Sequence, residues 1–241
     1  EKRPSILREV SMSPRQPTRR FETRKAAIVS SAVGVLNRKG VRGMTLGEVA
    51  SSLSLVPTGV IYYFRNKEEL AQACFLRGIE RFDALLGEAE AGATPRERLQ
   101  RFLSVYVDFR RRIALGEVEP VAVFNDVRAL GCDEVNRAYV DMFRRLRGLL
   151  QGEATKDWSR PALNARTHLL LSEAFWAVAW LPRRDPEDFD RVAARMSDMT
   201  CDGMAARGAA WAPLPLPGLM GERRDDPAEL FLRAATELIN E

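Results

Sequence analysis

Five short stretches of this 241-residue chain are written as helix starts, and they leave little room for a fold built on strands. TLGE (Thr45 to Glu48) and NKEE (Asn66 to Glu69) each set a capping side chain three residues ahead of a glutamate. In that arrangement the cap accepts from an orphan backbone N–H of the first turn while the glutamate reaches back. TPRE (Thr94 to Glu97), DPED (Asp185 to Asp188) and DPAE (Asp226 to Glu229) put proline at the first helical position, where its missing N–H costs nothing. Between these starts the apolar residues recur at helical spacing. Phe21, Ile28, Ala32, Val35 and Leu36 share one side of a first helix that begins near Thr18 and is ended by Gly40. Leu99, Phe102, Leu103, Tyr106 and Ile113 share another side, as do Val135, Tyr139, Met142, Leu146 and Leu149. VEPVAVF (Val118 to Phe124) is the strongest local strand candidate, but it has no partner and is expected to form a short helix after Pro120. The expected fold class is therefore all-α.

The segment Pro161 to Leu181 departs from simple amphipathicity. Leu163, Leu170, Ala174 and Val178 form one stripe, and Leu169, Trp176 and Trp180 lie off it. A helix that is apolar nearly all round must be covered on several sides, either at the centre of the body or against a second subunit. It is too short and too interrupted by Glu173 to span a bilayer. WAPLPLPG (Trp211 to Gly218) has too many prolines for a helix and reads as an extended connector. An amphipathic helix is expected from about Pro227 to Asn240. Residues 1–18, rich in Pro, Ser and Arg, are expected to form a flexible basic arm, and they hold no apolar run of the secretory-signal kind.

Charge is divided unevenly. Residues 1–81 hold 15 Lys/Arg against 7 Asp/Glu, whereas the whole chain has a net charge of only +4. A basic front on an acidic body fits a polyanion partner, and equally a solvated basic tail.

Within that front, a helix from Thr45 to Ser52, a turn at Leu53 to Leu55 and a helix from Val56 to Phe64 have the outline of a helix-turn-helix. Around the second helix Val60 and Phe64 share the inner side, flanked by Pro57 and Tyr63, while Thr58 and Tyr62 point away. An outward tyrosine offers a hydroxyl to a phosphate, and small residues such as Thr58 and Gly59 let a helix approach base edges. Thr45 and Asn66 present helix N-termini that favour anions, and Lys67 stands in the turn that follows Asn66.

Together with these features, the run TRKAAIVSSAVGVLNRKGVRGMTLGEVASSLSLVPTGVIYYFRNKEEL resembles the DNA-binding head of the TetR-like (tetracycline-repressor) family of bacterial transcription regulators. The resemblance covers about a fifth of the chain. Ser54 stands where the family commonly has a turn glycine, Val56 where it often has a serine cap, and Ile61 where a tyrosine is frequent. The resemblance implies phosphate contacts from Thr45, Tyr62, Tyr63 and Lys67, with Pro57, Thr58 and Gly59 approaching bases. Arg42, Arg19 and Arg20 are placed to reach the DNA backbone or simply to be solvated. It also implies a three-helix head at 19–67 and a helical effector-binding and dimerisation domain at 68–241. The late helices within 161–207 would then pair two copies, with Phe189, Val192, Ala193, Met196 and Gly203 as interface candidates. An inverted-repeat operator and release by a small molecule follow from the same resemblance, the aromatic and apolar character of the pocket candidates suits an apolar effector, and the scattered cysteines fit a reduced, cytoplasmic protein. Phe102, Tyr106, Tyr139, Met142, Phe143, Phe175 and Trp176 are candidate pocket residues, and each is also an ordinary core residue.

Other functions find little support. There is no GxSxG, GxGxxG, Walker loop or HExxH, so neither a catalytic site nor a cofactor is expected. One histidine, His168, and three scattered cysteines, Cys74, Cys132 and Cys201, suit neither a metal site nor a disulfide framework. The alternative that the residues leave open is a helical interaction protein whose helix-turn-helix grips a protein or an anionic surface. Within the family resemblance, an activator or a co-repressor-dependent regulator is the other possibility.

Overall fold

A computed structural model describes residues 18–202. The basic arm, Gly203, the proline-rich connector and the helix expected from Pro227 lie outside the described residues. So do residues 204–241. The described residues are helical with no strand: α1 (Arg19–Gly43), α2 (Leu46–Ser52), α3 (Pro57–Ile61), α4 (Lys67–Ala89), α5 (Pro95–Ala114), α6 (Asp133–Leu149), α7 (Arg160–Trp180) and α8 (Phe189–Asp202).

The caps act as their spacing predicts, with one exchange of partner. The side chains of Thr45, Asn66 and Thr94 accept from the N–H groups of Glu48, Glu69 and Glu97 at 3.2, 2.8 and 3.2 Å. Glu69 and Glu97 reach back to the backbone of Arg65 and Ala93, at 2.8 and 2.9 Å. Glu48 instead pairs with Lys39 of α1 at 2.9 Å, a tertiary contact that local spacing does not reveal. Asp185 makes no side-chain cap. The helix expected from Pro186 opens as a separate 3₁₀ turn, Pro186–Asp188, before α8 begins at Phe189.

Gly40 breaks α1, at φ 67° and ψ 178°. A side chain there would be strained, and its Cβ would lie 2.7 Å from Asp126 Oδ2. That carboxylate has a use, because it accepts from the Val41 N–H at 2.6 Å.

The expected short helix after Pro120 is corrected. Residues 119–123 form no helix, Val123 is extended, and a 3₁₀ helix follows at Phe124–Leu130. The cause lies far off in sequence. Asn37 of α1 donates to the Val121 carbonyl at 2.9 Å and accepts from the Val123 N–H at 3.0 Å. One side-chain amide thus satisfies this backbone as a neighbouring strand would. Glu119 is fastened nearby by Ser30 and by Arg77, the latter at 3.2 Å.

In the body, α4 packs on α1, α5 and α6, and α5 lies along α8. Arg145 of α6 ties down α4 through Asp83 at 2.7 Å and Glu90 at 2.6 Å. Phe189, Ala193 and Met196 are buried within the chain, so these interface candidates are core residues, turned inward by the packing of α8 on α5. Val192 is half-buried. The α7 stripe of Leu163, Leu170 and Ala174 faces in, whereas Leu169 and Trp176 are each 71% exposed.

Candidate nucleic-acid interface and interior cavity

The head is organised around Val60 and Phe64, both buried, and α3 packs on α2. α3 is shorter than expected, ending at Ile61. The chain leaves it through a tighter turn in which Tyr63 N–H donates to the Val60 carbonyl at 2.9 Å. Val56 supplies no side-chain cap, and α3 starts instead on Pro57 at its first position.

The turn between α2 and α3 closes in a Schellman arrangement. Leu55 N–H donates to Ala50 O at 2.9 Å and Ser54 N–H to Ser51 O at 3.1 Å. The motif requires a left-handed residue, and Ser54 takes that role at φ 54°. Ser54→Gly is therefore expected to stabilise the chain by about 1 kcal/mol by removing the Cβ penalty. Urea unfolding reads this as a higher midpoint at unchanged slope, and a lower midpoint would show that the serine hydroxyl outweighs the strain.

With the core of α3 turned in, Pro57, Thr58, Ile61 and Tyr62 form its outer surface, and Tyr62 is 73% exposed. Gly59 and Tyr63 are half-buried. Phe21, one turn into α1, holds the tyrosines in place. Its ring lies 4.8 Å from Tyr63 and 6.0 Å from Tyr62, and the two tyrosines meet edge-on at 5.1 Å. Phe21, expected on the inner side of α1, instead serves the tyrosines, and its place beside Arg19, Arg20 and Arg24 is the sequence signal for that role. Lys25 rests over the Phe64 ring at 5.6 Å.

Thr45 and Arg42 are exposed at the neighbouring edge of the head. Lys67 is half-buried and donates to the carbonyls of Val41 and Arg42 at 3.3 and 3.0 Å. Its ammonium therefore satisfies backbone carbonyls at the end of α1 with two of its three donors.

The structure disperses the expected pocket residues. A small cavity of about 30 Å³ lies between α4, α5, α7 and the Val121–Phe124 segment. Tyr106 and Phe175 line it, with Phe82, Phe109, Arg110 and Phe124. Phe102 and Tyr139 stand one ring behind, in contact with Phe82 and Phe124 at 5.4 and 6.1 Å. Met142 lines a separate groove between α4 and α6. Phe143 packs on His168 at 4.5 Å, and Trp176 is on the surface. A more polar groove of about 400 Å³ adjoins the cavity and shares Leu85, Phe109 and Val121 with it.

Fold and site define a helix-turn-helix head, with an exposed second helix, on a larger helical body. Residues 28–74 match the family described as "Bacterial regulatory proteins, tetR family". Over this region the chain is similar to that family. It is 33% identical over 129 residues to the HTH-type transcriptional regulator BetI of Rhizobium meliloti (strain 1021), a match covering 53% of this chain and 62% of that protein. Among solved structures, AibR in complex with isovaleryl coenzyme A and operator DNA has the same fold, with a TM-score of 0.55 and 18% identity over 73% of this chain and 97% of that one. The transcriptional regulator FadR from Bacillus subtilis in complex with stearoyl-CoA also shares it, with a TM-score of 0.56 and 14% identity over 75% of this chain and 99% of that one.

Proposed function

We propose that the chain is a transcriptional repressor that binds an inverted-repeat operator as a homodimer and is released by a small molecule. The observation that carries this reading is the outer surface of α3, where Thr58 and Tyr62 stand exposed on a helix locked from within by Val60 and Phe64. In this reading Tyr62, Tyr63, Thr45 and Arg42 meet phosphates, and Pro57, Thr58 and Gly59 approach base edges. Lys67 serves chiefly by tying the start of α4 to the end of α1, and its remaining donor is available to a phosphate. The exposed Leu169 and Trp176 on α7, with the exposed Met199 on α8, form the dimer face.

Release requires that the cavity be linked to the head, and a single segment supplies the link. Val121–Phe124 forms one wall of the cavity. Its backbone is clamped by Asn37, and Asp126 a few residues on receives the Val41 N–H. A ligand that moves this wall must also shift the end of α1. DNA and ligand affinities are then coupled reciprocally. That AibR and FadR carry acyl-coenzyme A ligands on the same fold supports a small-molecule effector here.

The test is selection of bound sequences from a genomic DNA pool, then titration of the best site at several salt concentrations. An enriched inverted repeat is expected, with log affinity falling against log salt at a slope of about −0.9 per phosphate neutralised. Failure to enrich any motif would overturn the reading and favour a protein or anionic-surface partner for the head.

A further inference from the structure

Arg110 is out of keeping with the cavity it lines. Its neighbours there are Phe82, Tyr106, Phe109, Phe124 and Phe175. The guanidinium Nε is buried without a hydrogen-bond partner, and no ion pair among the described residues includes Arg110. Other arginines of the body are provided for: Arg145 by Asp83 and Glu90, Arg111 by Asp108, and Arg98 by the carbonyls of Leu149 and Gln151. Arg110 cannot shed its charge at any physiological pH. Tyr106, the titratable group beside it, does not neutralise it. Burial pushes the Tyr106 pKa up to about 12, so the phenol stays uncharged, and its hydroxyl is spent on the Ala174 carbonyl.

Arg110 is half-buried and its Nε is the unpartnered buried atom, so among these rings an anion that reaches it is held selectively. The same rings offer nothing to a small hydrophilic anion, so the anion must carry an apolar body. The present volume, about 30 Å³, is little more than a water or two occupies. A ligand must therefore displace the cavity wall on entry, and the adjoining groove that shares Phe109 and Val121 offers the approach.

We propose that the effector is a carboxylic acid with an apolar or aromatic body, its carboxylate held by Arg110 and its body packed among Phe82, Phe124 and Phe175. This rests on the ligand-responsive reading above and names the chemical class that the cavity accepts. Arg110 is its specificity determinant, because an alcohol or ester of the same shape gains the apolar contacts and leaves the guanidinium unpaired.

The test is calorimetric titration of the full chain, without DNA, with linear carboxylates from butanoate to hexadecanoate and with 4-phenylbutyrate. Each acid is compared with its matched primary alcohol and methyl ester. At least one acid is expected to bind about tenfold or more tightly than its neutral counterparts. Arg110→Met, which keeps an apolar stem of similar length, is expected to erase that preference while retaining apolar binding, and Arg110→Lys to restore part of it.

Equal binding of acid and alcohol by the unsubstituted chain would overturn the proposal, without reference to any variant. It would also fail if no acid bound at millimolar concentration, or if coenzyme A thioesters bound where the free acids did not. Operator binding is measured separately. An acid that binds a chain with no operator sinks the regulator reading alone, and an operator-binding chain indifferent to acids sinks this inference alone.

Discussion

Trp176→Glu is expected to leave the chain folded but monomeric and to weaken its hold on an operator by about a thousandfold or more. The indole is 71% exposed, so its removal withdraws little from the core, and surface changes of this kind usually alter stability by about 0.5 kcal/mol or less. In the proposed dimer the same residue lies at the centre of an apolar face. Leu169 stands two turns before it on α7, and Thr200 of α8 donates to Glu173 of α7 at 2.6 Å, beside the exposed Met199. A glutamate on each copy would bury two like charges at the symmetry axis, which an interface does not tolerate. The effect on DNA follows from symmetry. Two heads hold two half-sites, and one head alone keeps roughly half of the binding free energy. For specific complexes near 10⁻⁸ to 10⁻¹¹ M, halving that energy leaves a Kd of about 10⁻⁴ to 10⁻⁶ M. Sedimentation velocity and operator titration read the two consequences independently. A dimer with unchanged affinity would move the interface away from α7.

How much of this was legible depended on whether the deciding contact was local. The caps at Thr45, Asn66 and Thr94 are governed by residues three apart, and they stand where the spacing put them. Burial of Val60 and Phe64 beneath an exposed Tyr62 follows from helical periodicity alone. The irregular run at 119–123 was not legible, because Asn37 clamps it from more than eighty residues away. Trp176 was assigned to a pocket because an aromatic on an apolar helix reads alike whether it faces a core or a partner. Arg110 was hidden in the run FRRRIA, which looks like a solvated charged face. Which arginine turns inward is decided by the packing of α5 against α4 and α7, and a single sequence does not carry that information. The glycine substituted by Ser54 is the reverse case: the departure from the family pattern was visible, and the structure shows its cost as a left-handed serine.

Phe124→Ala is expected to cost about 3–5 kcal/mol of stability, a large share of the roughly 5–15 kcal/mol that holds a folded domain together. The ring is 7% exposed and joins three elements at once. It meets Phe175 of α7 at 5.2 Å, Phe82 of α4 at 6.3 Å and Tyr139 of α6 at 6.1 Å. It also lies against Gly78 so closely that a Cβ there would be 3.1 Å from Phe124 Cε1 and 3.2 Å from the Ala122 carbonyl. The α4 backbone is thus bare where the ring must fit. Truncation to alanine removes these contacts and leaves a void continuous with the cavity, and the surrounding helices, tied by Arg145 to Asp83 and Glu90, have little freedom to collapse into it. The loss also has a functional direction. Phe124 is the far end of the wall whose near end Asn37 holds, so shortening it lets the wall move without carrying α1. The variant should bind operator as the unsubstituted chain does at temperatures where it is folded, while responding less to effector. Guanidinium unfolding gives the first quantity and operator titration with and without a bound acid the second. A loss below about 1 kcal/mol would mean the ring is replaceable packing. Full effector response in a destabilised variant would place the coupling elsewhere, along α4 rather than through the Val121–Phe124 wall.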